Sequence, residues 1–179
     1  MSTGINVRKI AFAGVVAALY AALTIVVAPI SYGPIQFRIA EVLCILPFFF
    51  PFTVPGLFIG CVIANLLSPY GLLDIFAGSL ASLLAAYCTM QLGRVNRETL
   101  VSKALACFPP VIFNALIIGA VIAWAITGGG AAFWPALLLN GLQVGFGQFV
   151  VLYALGLPIM VYLPTTRLFS ILNTIPEVD

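Results

Sequence analysis

Three charged residues stand apart from the other charges in this chain: Arg38, Glu41 and Asp74. Arg38 and Glu41 are three positions apart, and Asp74 follows a largely apolar stretch. Tyr32, Gln36, Phe37, Asn65 and Tyr70 lie close by in sequence, and Asn140, Gln143 and Gln148 interrupt a later apolar run. At about 100° per residue, Gln143 falls roughly 60° to one side of Asn140 and Gln148 roughly 80° to the other. The three amides therefore share one broad helical face. Two carboxylates, a guanidinium, amides and aromatics suit a small, flat, polar ligand. Aromatic faces hold a ring, while amides and a carboxylate satisfy its edge. A plainer reading uses the same residues structurally. Arg38 and Glu41 can pair with each other at this spacing, and Tyr32, Tyr70, Phe133 and Trp134 can form an interfacial belt.

Charge bookkeeping narrows the ligand. If Arg38 pairs with one carboxylate, the other is left to meet a cation or a donor-rich edge. A free carboxylate at a partly dehydrated site is costly unless a ligand pairs with it. The pocket is expected to prefer a neutral or cationic base over an anion.

The elements that must position these residues are membrane helices. Of 179 residues, 63% are hydrophobic and 7% are charged, against about 25% charged in an average soluble domain. The expected fold is all-α: one transmembrane domain over 1–179, a bundle of six helices. The first run, 10–28, is long enough to cross the ~30 Å hydrocarbon core and lacks an A-x-A-like cleavage site; it reads as a retained helix. Residues 29–41 form a polar loop. Apolar sequence from 42 to 67 is interrupted by Pro47, Pro51 and Pro55. It reads as two short helices, or alternatively as a re-entrant hairpin. Further helices are expected over 75–92, 104–126 and 133–162, the last bent near Pro158. Leu168, Ile171, Leu172 and Ile175 share a helical face, which suggests an interfacial helix over 167–175 or else a frayed tail.

Orientation follows from the basic residues. Six crossings with the N-terminus inside put Arg8, Lys9, Arg94, Arg97, Lys103 and Arg167 on the cytoplasmic side and leave Arg38 outside, as Lys/Arg bias favours. Both termini are then cytoplasmic.

Small residues recur four apart, notably Ala13/Ala17/Ala21 and Gly14/Ala18/Ala22 in the first helix. Such ridges let helices approach closely. They serve either packing within the bundle or docking to another membrane protein.

Absent chemistry is equally informative. The chain has no histidine, no Ser/His or metal constellation and no G-x-x-x-x-G-K-[ST] loop. Cys44, Cys61, Cys88 and Cys107 read as small apolar residues, neither metal ligands nor disulfide partners. No metal, cofactor or nucleic acid is expected, and no enzymatic activity of its own. A net charge of +2 is too small for a nucleic-acid surface.

ISYGPIQFRIAEVLCILPFFFP at 30–51 and PGLFIGCVIANLLSPYGLLDIFAGSLASLLAA at 55–86 resemble the QueT-type substrate-binding (S) subunits of energy-coupling factor transporters. Ala40 departs from the small hydroxyl residue usual there. The resemblance implies six helices in a bacterial plasma membrane and capture of a micronutrient from outside. It implies docking on a transmembrane T subunit with two cytoplasmic ATPases, through Ala17/Ala21 or Ala18/Ala22. It also implies a queuosine precursor, a preQ1-like deazaguanine base, as ligand. Glu41 and Asp74 would then meet the base's adjacent N–H donors and its aminomethyl cation, in either order. Competing expectations are another small aromatic vitamin or nucleobase, and a scaffold subunit that transports nothing.

Overall fold

The computed structural model describes residues 7–33 and 35–173. Four helices are long and apolar enough to cross a membrane: α1 (Val7–Val26), α3 (Leu72–Val95), α4 (Leu100–Thr127) and α5 (Phe133–Thr165). Two shorter apolar elements lie between α1 and α3. They are a 3₁₀ segment, Ile39–Phe48, and α2, Pro51–Asn65. A last short helix, α6, covers Arg167–Asn173. The described residues contain no strand.

Each helix end has a local cause. Gly71, at φ 61°, precedes α3. Thr99 caps α4 by accepting the Ser102 N–H at 3.2 Å, which satisfies one of the donors a helix start leaves open. Gly128 adopts the left-handed conformation at the end of α4, and its N–H donates to the Trp124 carbonyl. Glycine enters that region at no steric cost. In α5 a π turn spans Leu152–Gly156, just before Pro158. Proline removes a donor and crowds the carbonyl four residues earlier; a wider turn accommodates this.

The 3₁₀ segment begins at Ile39, three residues earlier than the expected boundary. Glu41 is thereby drawn out of the expected loop and into the bundle, where it is wholly buried. Segment Ile39–Phe48 is about 20 Å long at ~2.0 Å per residue, and Pro51–Asn65 about 22 Å at 1.5 Å per residue. Each is shorter than the hydrocarbon core. Together they nevertheless run the depth of the bundle. Arg38 and Asn65 lie at the Asp74 end. Phe48 abuts the backbone of Gly93, and Phe50 and Phe52 pack on Phe12 at 6.3 and 5.9 Å.

The second end of the bundle also collects the cations. Lys9 sits 5.7 Å above the Phe52 ring. Arg94 and Arg97 flank the end of α3, and Arg97 donates to the Gly93 carbonyl. Arg167 opens α6, whose Phe169 packs on Phe49 and Phe50 at 5.4 and 5.5 Å. The face that α6 buries is therefore Phe169/Leu172. Leu168 and Ile171 point outward, contrary to the expected apolar stripe, and Ile175 lies outside the described residues.

Close packing is carried by glycine. A Cβ on Gly56 would run into the Ala13 backbone, and one on Gly60 would fall 2.7 Å from the Ala17 carbonyl oxygen. The Ala13/Ala17/Ala21 ridge is thus spent on α2, with Ala17 and Ala21 buried. Ala18 and Ala22 are exposed, and nothing stands within 4 Å of a Cβ on Gly14. Around the rest of the circumference, Leu19, Phe76, Leu80, Leu138, Leu142 and Phe146 project outward. So continuous an apolar exterior matches lipid rather than water.

Candidate functional site

Arg38, Glu41 and Asp74 are buried to within 1% of completely. Arg38 turns to Asp74, not to Glu41. Its Nη2 lies 3.9 Å from Asp74 Oδ2, and its guanidinium stands 5.5 Å from the Tyr32 ring centroid. The expected Arg38–Glu41 pair is replaced because Asp74, at the start of α3, approaches Arg38 through the fold. Glu41 instead accepts the Tyr20 hydroxyl on Oε1 at 2.6 Å and the Cys44 thiol on Oε2 at 3.1 Å.

Asn65 joins Asp74 from α2. Its Nδ2 donates to the Asp74 backbone carbonyl at 2.9 Å. Gly78 makes room for both: a Cβ there would lie 2.5 Å from Asn65 Nδ2 and 2.8 Å from Asp74 Oδ1. The Tyr32 hydroxyl donates to the Ala64 carbonyl at 2.6 Å, so its ring is held over Arg38. Burial pushes the Tyr32 pKa up, against the opposing pull of Arg38; the hydroxyl stays a neutral donor at ordinary pH.

The connecting loop is tightly folded. Arg38 N–H donates to the Gln36 carbonyl at 2.8 Å, closing a three-residue turn. Gln36 has φ 52°, a left-handed conformation uncommon outside glycine. The loop presses on α5, where only a glycine at 147 leaves space for the Ile35 carbonyl. Phe37 meets Phe146 edge to face at 6.4 Å.

Many polar atoms at this end lack a partner. They include Nε, Nη1 and Nη2 of Arg38, both carboxylate oxygens of Asp74, Asn65 Oδ1, Gln36 Nε2 and Gln148 Oε1. Unmade hydrogen bonds on buried groups cost ~1–3 kcal/mol each. A cluster of them is an arrangement that a bound polar molecule would satisfy.

Other expected residues are less engaged. Asn140 is buried but donates back to the Ala136 carbonyl of its own helix. Gln143 is half-buried. Tyr70 packs on Ile118, Ile122 and Val144. Of the cysteines, Cys61 accepts from Asn65 and Ser82 at 3.4 and 3.2 Å, so Cys44 and Cys61 join the polar network while also packing in the apolar core. All four thiols are free.

Reasoning from sequence missed Tyr20 and the importance of Gly78. Tyr20 was traceable: its hydroxyl lies on the same α1 face as Ala17, Ala21 and Thr24, and a hydroxyl in a membrane helix needs a partner.

The relative "Queuosine precursor transporter QueT" of Lactococcus lactis subsp. cremoris (strain MG1363) is 44% identical over 71 residues, 38% of this chain. The match spans 41% of that relative's length. No solved structure matches. The family profile described as QueT transporter matches residues 10–165, most of the chain. The protein therefore belongs to the QueT transporter family, as a multi-helix membrane protein.

Proposed function

We propose that this protein is the substrate-capturing S component of an energy-coupling factor importer and that it binds a queuosine precursor, a preQ1-like deazaguanine base. The observation that carries the reading is the set of unpartnered polar atoms on Arg38, Asp74 and Asn65, sealed at one end of an apolar bundle. A flat base with donors and an acceptor along its edge completes those bonds, and the Tyr32 ring lies beside it. The name of the Lactococcus relative supports the class of substrate.

In this reading the protein sits in a bacterial plasma membrane with the Asp74 end outside and both termini inside. The chain crosses six times, with Ile39–Phe48 and Pro51–Asn65 as short passes. Support comes from the six cations opposite Arg38 and from the bias of such residues toward the cytoplasm. Energy comes from partners, a T subunit and two ATPases, since the sequence carries no phosphate-binding loop. Docking uses the exposed Gly14/Ala18/Ala22 ridge, the one α1 does not spend on α2.

Calorimetry on the purified full chain in nanodiscs tests the reading. Titration with preQ1 should give saturable binding at one site. Absence of binding, or tighter binding of an anionic vitamin, would refute it.

A further inference from the structure

We propose that the two acids of this site have separate tasks: Arg38 and Asp74 together read the neutral edge of the base, and Glu41, positioned by Tyr20, meets its cation. This division rests on the function proposed above and extends it.

Arg38 and Asp74 offset each other's charge yet form no hydrogen bond. A charge-assisted N–H···O contact is normally about 2.7–2.9 Å, and this pair stands at 3.9 Å. All three guanidinium nitrogens and both carboxylate oxygens are unpartnered, and Asn65 Oδ1 is a further vacant acceptor. The pair thus offers donors beside acceptors with no net charge. The complementary edge carries one acceptor next to two donors. A carbonyl oxygen beside a ring N–H and an exocyclic amino group has that order, and guanine-type and 7-deazaguanine-type bases carry it. Arg38 donates to the oxygen, and Asp74 with Asn65 accepts from the nitrogens.

Glu41 is in a different state. Both its oxygens already have donors, Tyr20 and Cys44, and both donors are neutral. Arg38 is engaged by Asp74. A carboxylate has about four acceptor sites, so Glu41 retains capacity; Arg38, whose charge Glu41 also feels, is shared with Asp74, so the two carboxylates have one full countercharge between them. A buried carboxylate without one is costly. The missing positive charge comes with the ligand. Arg38 and Glu41 belong to one 3₁₀ turn, with the Glu41 N–H donating to the Arg38 carbonyl at 3.0 Å, and in this division of tasks one small base spans the two subsites.

Two probes separate the tasks: 7-deazaguanine, which has the edge alone, and its 7-aminomethyl derivative, which adds the cation. Calorimetry measures both on each full-length variant, with folding checked by thermal unfolding. Glu41→Gln should weaken the aminomethyl base by roughly 10- to 150-fold, the loss expected of a charge-assisted bond. Its affinity for 7-deazaguanine should stay within about threefold. Asp74→Asn should weaken both bases by the same factor. Tyr20→Phe should follow the Glu41 pattern with a smaller loss. The ratio of the two affinities is read on one preparation, so a general loss of folded protein does not move it. Equal losses in Glu41→Gln, or a loss confined to the aminomethyl base in Asp74→Asn, would overturn the division while leaving the proposed function standing. A wild-type protein that binds neither base would remove both.

Discussion

Tyr20 donates its hydroxyl to Glu41 across 2.6 Å, with both side chains completely buried. The bond ties the middle of α1 to the first turn of the 3₁₀ segment, two elements that also share an apolar cluster containing Val16 and Cys44. Tyr20→Phe keeps the ring and removes the donor, leaving Glu41 with the weak Cys44 thiol alone. An unsatisfied buried acceptor costs ~1–3 kcal/mol. The variant should unfold at a lower temperature than wild type in the same detergent, as followed by differential scanning fluorimetry. Tyr20→Leu, which also loses the ring, should be lower still.

Neutralising one member of the Arg38–Asp74 pair should harm the protein more than neutralising both. Asp74→Asn strips the buried guanidinium of its nearest carboxylate, and breaking a buried pair typically costs ~3–5 kcal/mol. Arg38→Gln with Asp74→Asn removes both charges together. The double variant should recover much of the lost thermal stability yet bind no base. A double variant less stable than Asp74→Asn would show that the pair contributes net stability to the empty protein.

Glycines at the site and in the packing should respond differently to alanine. In Gly78→Ala the new methyl meets Asn65 Nδ2 and Asp74 Oδ1, which are side-chain atoms able to move. Alanine also favours a helix interior over glycine by ~1 kcal/mol. Ligand affinity should fall while the unfolding temperature changes little. In Gly56→Ala the methyl meets the Ala13 backbone, which cannot yield without separating α1 from α2. That variant should lose stability, and calorimetry with thermal unfolding on both variants checks the contrast.

The long helices were legible because each is a continuous apolar run ended by a marked breaker. Glycines at 128–130 stop α4, and the polar turn at 96–99 separates it from α3. The charged residues of the site were legible too, as expensive charges beside apolar sequence. The pairing among them was not. Arg38 and Glu41 are near in sequence, whereas Asp74 reaches Arg38 only after two intervening short helices bring α3 alongside. The 3₁₀ geometry of Ile39–Phe48 was also hidden, since prolines at 47 and 51 mark an interruption without saying which helix type tolerates it. The two small ridges of α1 are equivalent as sequence. Only the position of Gly56 and Gly60 on α2 decides which is buried.

Topology can be read by cysteine labelling in a background where the four native cysteines are replaced. Asn96 and Ala131 are both exposed, in the turns at opposite ends of α4. An impermeant maleimide applied to intact cells should label Ala131→Cys and leave Asn96→Cys untouched until the membrane is opened. Labelling of Asn96→Cys in intact cells would place the cation-rich end outside and reverse the proposed orientation.

The two ridges of α1 should give opposite phenotypes in the proposed importer. Ala17 faces Gly60 of α2, and both Ala17 and Ala21 are almost fully buried. Leucine at both positions adds bulk where the Ala17 backbone already lies 2.7 Å from the place of a Gly60 Cβ. Overpacking of this kind typically costs ~1–3 kcal/mol per site. Ala17→Leu/Ala21→Leu should therefore express poorly or unfold early, with ligand binding lost together with the fold. Ala18 and Ala22 are exposed. Ala18→Leu/Ala22→Leu should fold, bind the base with wild-type affinity and yet fail to co-purify with a T subunit, because the added side chains hold the partner helix off the smooth face. Uptake in cells should fall in parallel. If Ala18→Leu/Ala22→Leu co-purifies and transports as wild type does, the docking surface lies elsewhere on the bundle.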